Sequence, residues 1–164
     1  MKVRAFSGCW LLALLVISVL FDTPVKGGDA PSAATKDIYD ESADGSKQIA
    51  DALTVAGKDN KRVLLQFGAN WCGWCHKLHS LCETDSDITA RLKSDYVAVL
   101  IDVNKGHNGE VDAKYGHPTK FGLPVLVVLD ADGKQLTTKD SGELEDGNHH
   151  SPAKVLAFLD KWKK

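Results

Sequence analysis

The sequence has few cysteines, little net charge and no long apolar run, and each shortage excludes a class of protein. Four cysteines in 164 residues are too few for a small domain held together by disulfides. A net charge of -2 provides no basic field to draw in nucleic acid or an anionic membrane. The nearly continuous apolar run from Cys9 to Phe21 falls short of the roughly 20 residues that span a bilayer. What is present, 43% hydrophobic and 26% charged residues, is the balance of a globular domain with a core, not of a disordered chain. The length suits one domain.

The first residues read as a targeting segment. Lys2 and Arg4 form a short positive region, the apolar run follows, and Val25-x-Gly27 or Gly28-x-Ala30 offers small residues for cleavage. This is the pattern of a secretory signal peptide. The expected organisation is a signal peptide over 1–27, with cleavage as late as residue 30, a leader over 28–40, and a domain over 41–164. An uncleaved anchor is the alternative, and the length of the run argues against it. Cys9 opens the run, so it does not read as a lipid-attachment site, which would follow it. The implied location is exported, periplasmic or secreted. Processing leaves Cys72, Cys75 and Cys82, odd in number and clustered, where a structural framework would spread its cysteines along the chain.

Periodicity outlines the domain. Ile49, Ala52, Leu53 and Ala56 recur at helical spacing and Gly57 follows, predicting a helix over 44–57. Arg62 to Phe67 has the length of a buried strand. After a turn at Gly68–Trp71, Cys75, Leu78 and Cys82 lie on one face of a helix expected to run to Leu92, with a kink near Thr84–Asp87. Tyr96 to Val103 is an unbroken apolar strand, as in a sheet covered on both faces. A short helix over Glu110–Tyr115 precedes a strand at Val125–Leu129, a turn at Asp130–Gly133 and a return strand at Lys134–Thr138. Ser151 and Pro152 open a last helix, with Val155, Leu156, Leu159 and Trp162 as its buried stripe. The order α-β-α-β-α-β-β-α implies an α/β fold with a central mixed sheet and helices on both faces.

The chemistry concentrates in Trp71-Cys72-Gly73-Trp74-Cys75. Cysteines three apart at a helix start can bridge without strain. The first sits at the helix N-terminus, where unpaired N–H groups and the dipole favour an anion, so its thiolate is the better nucleophile. The second lies one turn inside and can resolve a mixed disulfide. Cys72 is therefore expected to attack and Cys75 to resolve.

This segment resembles the active site of the thioredoxin-like family, W-C-x-x-C after a hydrophobic strand. Gly122-Leu123-Pro124-Val125 is similar to the family's second mark, and Asp130-Ala131-Asp132-Gly133-Lys134 to its last hairpin turn. The likeness covers about residues 40–164 and favours exported bacterial members over the cytosolic form. It implies a thioredoxin-like fold and a thiol–disulfide oxidoreductase acting on protein thiols and disulfides. A cis Pro124 would lie beside the dithiol, and Trp71, Gly73, Trp74, Leu123 and Pro124 would contact substrate. It implies no dissociable cofactor beyond the Cys72–Cys75 disulfide, no metal, and an unidentified redox partner protein. No nucleic acid and no stable membrane span after processing are expected, and the protein is expected to be a monomer. Three departures touch potential and partner choice. Gln66 stands where the family has a buried carboxylate, Ala98 where the cytosolic form has a lysine, and Gly73-Trp74 where a proline usually separates the cysteines. The Tyr115–Pro124 connection is also about three residues longer than the family pattern.

Other readings compete. A partner for Cys82 within its own helix is close to excluded, because seven residues rise about 10 Å against a Cα limit of roughly 7 Å. A buried structural thiol is the favoured reading. Cys72, Cys75 and His79 could hold copper or zinc as part of a metal-handling module, but a fourth ligand is lacking nearby. A substrate-binding or chaperone module that merely retains the motif is a further alternative. His76 either tunes a thiolate or is a solvated side chain. Trp71 either forms a collar with Trp74 or packs under the helix start. His107, His117, His149 and His150 read as solvated loop residues.

Overall fold

A computed structural model describes residues 36–164. The expected signal peptide and most of the expected leader lie outside the described residues. The helices are α1 (Gly45–Asp59), α2 (Gly73–Thr84), α3 (Ser86–Asp95), α4 (Gly109–Lys114) and α5 (Pro152–Trp162). The strands are β1 (Arg62–Gly68), β2 (Tyr96–Asp102), β3 (Val125–Leu129), β4 (Gln135–Asp140), β5 (Glu145–Asp146) and β6 (His149–His150). Among the described residues no helix is long and apolar enough to cross a membrane.

Four strands make a mixed sheet in the order β2-β1-β3-β4, with β1 parallel to β2 and antiparallel to β3. Alternation along β1 divides the core. Val63, Leu65 and Phe67 face a cluster with Ile49, Ala52 and Ala56 of α1 and Val111 of α4. Leu64 faces the opposite cluster, built with Leu78 of α2, Ile88 of α3 and Val155, Phe158 and Leu159 of α5. Gln66 and Gly68 follow Leu64 onto the α2 side, and this places them beneath the cysteine motif.

Local chemistry sets the helix ends. Asp44 caps α1 by accepting from the Lys47 N–H, and Asn60 closes it in the left-handed region at φ 58°. The expected long helix after the motif is in fact two. Asp85 takes an extended conformation, φ -80° and ψ 120°, and its carboxylate accepts from the N–H groups of Asp87 and Ile88. An aspartate that can cap a new helix competes with continuation of the old one.

Several expectations shift. Ala98 is exposed and Val97 and Leu100 are half-buried, so β2 is not covered on both faces; it is one of the sheet's two edge strands. Ser151 precedes α5, but its side chain makes no capping bond. Phe158 joins Val155 and Leu159 in the buried face of α5, while Leu156 and Trp162 are only half-buried. The packed domain also starts before residue 41. The Asn70 amide oxygen accepts from the N–H groups of Ile38 and Tyr39, at 3.0 and 2.9 Å, and its amide nitrogen donates to the Tyr39 carbonyl. The β5–β6 hairpin, which turns at Gly147 with φ 63°, is too short to carry a periodic signal.

Candidate active site

The motif lies where β1 ends and α2 begins. Cys72 is the N-cap of α2, and its sulfur accepts the Cys75 N–H at 3.1 Å. Cys72 and Cys75 are joined by a disulfide with Cα atoms 5.2 Å apart. Cys72 is 5% exposed and Cys75 fully buried, so an approaching group meets Cys72 first. The helix start also supplies the partial positive charge that stabilises an anion at that sulfur.

The other expected site residues surround this pair. Gly73 is exposed, and Trp71 is 70% exposed with its indole N–H donating to Asn104 at 3.1 Å. Trp71 therefore projects from the surface and does not pack beneath the helix. Trp74 is half-buried, with the His150 ring edge-on at 5.2 Å and the Lys77 ammonium 4.1 Å from the centre of its ring. The β5–β6 hairpin is held here as well, because Lys77 donates to the Asn148 carbonyl at 2.6 Å. Leu123 packs against the Cys72–Cys75 cluster. The Leu123–Pro124 peptide bond is cis, and the buried Pro124 carbonyl accepts a hydrogen bond from the Ser141 hydroxyl. Beside this loop Phe121 is half exposed.

The histidines divide. His76 Nε2 donates to the Asn70 carbonyl at 2.7 Å, so the side chain bolts down the turn before the motif. His79 pairs with Glu83 at 3.2 Å. His107 pairs with Asp102 and His117 with Asp112, each at 2.9 Å. His150 is not a solvated loop residue. It is 2% exposed and, among the described residues, neither ring nitrogen has a partner. Burial, then the charges of Lys77 and His149, hold its pKa below the ordinary imidazole value. Cys82 is half-buried, and burial, with Glu83 and Asp85 nearby, pushes its thiol up to about 12. Among the described residues no group of three or more His, Cys, Asp or Glu side chains gathers as a metal site would.

Sequence reasoning missed Tyr39. Its side chain is 3% exposed and packs with Cys72 and Cys75, and the Gln66 amide N–H donates to its hydroxyl at 2.7 Å. A methyl group on Gly68 would lie 2.2 Å from the Tyr39 hydroxyl oxygen and 2.7 Å from the Cys75 sulfur. Only glycine admits both groups at the end of β1. Burial pushes the Tyr39 phenol pKa well up; Gln66 opposes this and the Asp102 charge adds to it. The apolar pair Ile38-Tyr39, isolated in a polar segment, was the available signal. Asp102 was missed too. It is 1% exposed, with one oxygen shared by the Asn104 N–H and His107 and the other without a partner among the described residues.

Comparison with known proteins agrees with this architecture. A family model described as a thioredoxin-like domain matches residues 49–144, and the chain belongs to that family. It is 36% identical to a disulphide isomerase from Xylella fastidiosa Temecula1, with a TM-score of 0.68, covering 76% of this chain and 95% of that one. It is also 31% identical over 97 residues to the disulfide bond reductase DsbH of Chlamydia pneumoniae, covering 55% of this chain and 58% of that protein. The thiol:disulfide interchange protein DsbD of Actinobacillus pleuropneumoniae is 27% identical over 99 residues, 60% of this chain but 16% of that protein. The chain thus spans less than two thirds of the curated relatives it matches, 58% of DsbH and 16% of DsbD. Fold, family and relatives together define a thioredoxin-like domain similar to those of thiol–disulfide oxidoreductases.

Proposed function

We propose that the protein exchanges disulfides with protein substrates through Cys72 and Cys75 in an exported compartment. Cys72 is the sulfur that forms the mixed disulfide, and Cys75 resolves it. Trp71, Gly73, Trp74, Leu123 and Pro124 form the surface that holds an extended substrate, and no dissociable cofactor takes part. The observation that carries the reading is the Cys72–Cys75 disulfide at the start of α2, with its outer sulfur at the cap and its inner sulfur enclosed. The names of the relatives, a reductase, an isomerase and interchange proteins, support the chemistry but differ in direction. Gln66 in place of a titratable carboxylate favours a pair less reducing than thioredoxin itself, which lies at about −270 mV.

The test is a redox titration in glutathione and dithiothreitol buffers, read by tryptophan fluorescence, because Trp71 and Trp74 flank Cys72. A reversible two-electron transition above about −250 mV is expected, and Cys72→Ser should abolish it. A Cys75→Ser variant should accumulate mixed disulfides with protein substrates. Absence of any reversible transition in the unaltered protein would refute the reading.

A further inference from the structure

Disulfide exchange needs something to hold the inner sulfur when it leaves, and Gln66 cannot titrate. The geometry supplies a different group. The Tyr39 hydroxyl and the Cys75 sulfur face each other across Gly68, less than about 5 Å apart, since one methyl position on Gly68 lies 2.2 Å from the first and 2.7 Å from the second. Gln66 donates into the Tyr39 oxygen at 2.7 Å and thereby fills its acceptor side. Among the described residues the hydroxyl hydrogen has no oxygen or nitrogen acceptor. Ile38, Trp74, Leu100 and Leu123 pack around the cysteines, and such apolar surroundings solvate an anion poorly.

We propose that the Tyr39 hydroxyl, aimed by Gln66, is the hydrogen-bond donor that receives the Cys75 sulfur when the disulfide opens, and that it positions Cys75 for both leaving and return. This rests on the disulfide-exchange reading above. In the forward step a substrate thiolate attacks Cys72 Sγ and a new S–S bond forms. The Cys72–Cys75 bond breaks, and its electron pair leaves with Cys75 as a thiolate. Tyr39 donates a hydrogen bond to that sulfur and keeps its proton, because burial favours the neutral phenol. In the reverse step the Cys75 thiolate attacks Cys72 Sγ of the mixed disulfide and the substrate leaves as a thiolate. No further oxidant or reductant is consumed.

Other charged groups are near. Asp102, at the end of β2, lies close enough to act on Tyr39, and it is paired with His107. His76 follows Cys75 directly, but its Nε2 is committed to the Asn70 carbonyl. The test therefore compares Tyr39→Phe with Asp102→Asn. In a Cys72→Ser, Cys82→Ser background Cys75 is the sole thiol of the described residues, and its titration can be followed by thiolate absorbance. Tyr39→Phe should raise the midpoint of that titration by about one pH unit, the scale of one hydrogen bond to a charged group. With both cysteines of the pair restored, Tyr39→Phe should slow reduction of the disulfide by dithiothreitol by about tenfold. A fall in thermal stability alone, with midpoint and rate unchanged, overturns the proposal. A midpoint that moves in Asp102→Asn but not in Tyr39→Phe overturns it as well. If the unaltered protein shows no exchange at all, the functional reading fails with it; if exchange persists and Tyr39→Phe is silent, only the role of Tyr39 fails.

Discussion

Gly68→Ala should be among the most damaging single-methyl additions to this domain. The new carbon would lie 2.2 and 2.6 Å from the hydroxyl oxygen and ring carbon of Tyr39, and 2.7 Å from the Cys75 sulfur, where van der Waals contact needs about 3.5 Å or more. Three groups could yield. Strand β1 is held in register with β2 on one side and β3 on the other, and the Cys75 sulfur is tied into the disulfide. The Tyr39 ring is what gives way, since among the described residues its backbone and hydroxyl are hydrogen-bonded to the side chains of Asn70 and Gln66 and to no strand backbone. Expelling it forfeits burial of an aromatic side chain, about 2 kcal/mol, and the Gln66 hydrogen bond, about 1 kcal/mol. A loss of about 3 kcal/mol lowers the melting temperature by roughly 10 °C in a domain of this size. Thermal unfolding of the oxidised protein measures it. A double-mutant cycle adds the diagnosis: once Tyr39→Ala has vacated the space, Gly68→Ala should cost little more. A melting temperature within about 2 °C of the unaltered protein would refute the steric argument, and full additivity of the two substitutions would refute the identity of the group displaced.

Asp85→Ala should destabilise the protein by about 1 kcal/mol, since it removes the carboxylate that accepts from the Asp87 and Ile88 N–H groups at the start of α3. Urea unfolding would show this as a lower midpoint with an unchanged slope, and no change in midpoint would refute the capping role. His150 should make the domain acid-sensitive. Its folded pKa is depressed by burial and then by Lys77 and His149, so the unfolded chain binds the proton more readily. The stabilising contribution is complete above the ordinary imidazole value of about 6.5 and is lost as pH falls through the depressed one. His150→Phe, which keeps an aromatic ring against Trp74, should flatten the decline in melting temperature over that acidic range. An identical decline in the variant would show that another group is responsible.

What was legible in the sequence follows from how far each signal reaches along the chain. The strand at Arg62–Gly68 and the helix at Gly45–Asp59 announce themselves because every apolar residue they bury lies inside the element. The dithiol is legible for the same reason, since two cysteines three positions apart and a helix start carry its chemistry. Asp85 marks the limit of periodicity. The apolar spacing from Cys75 onward continues across it, and only the competition between helix continuation and a carboxylate cap divides α2 from α3. Tyr39 has only the adjacent Ile38 as a local signal, and His150 has none. Each reaches the motif from a segment with little regular structure, Tyr39 through Asn70 from before α1, and His150 through a six-residue hairpin held by Lys77. Polar sequence around them reads as loop, and beyond Ile38 no neighbour implies either burial. Gly68 connects the two kinds of information. In the sequence it is a turn residue after a strand, and in the fold it is the gap through which a tyrosine from outside the expected domain faces the inner sulfur. Gln66 stands where a titratable carboxylate was expected, and the space above it is filled by a phenol that the glutamine itself holds.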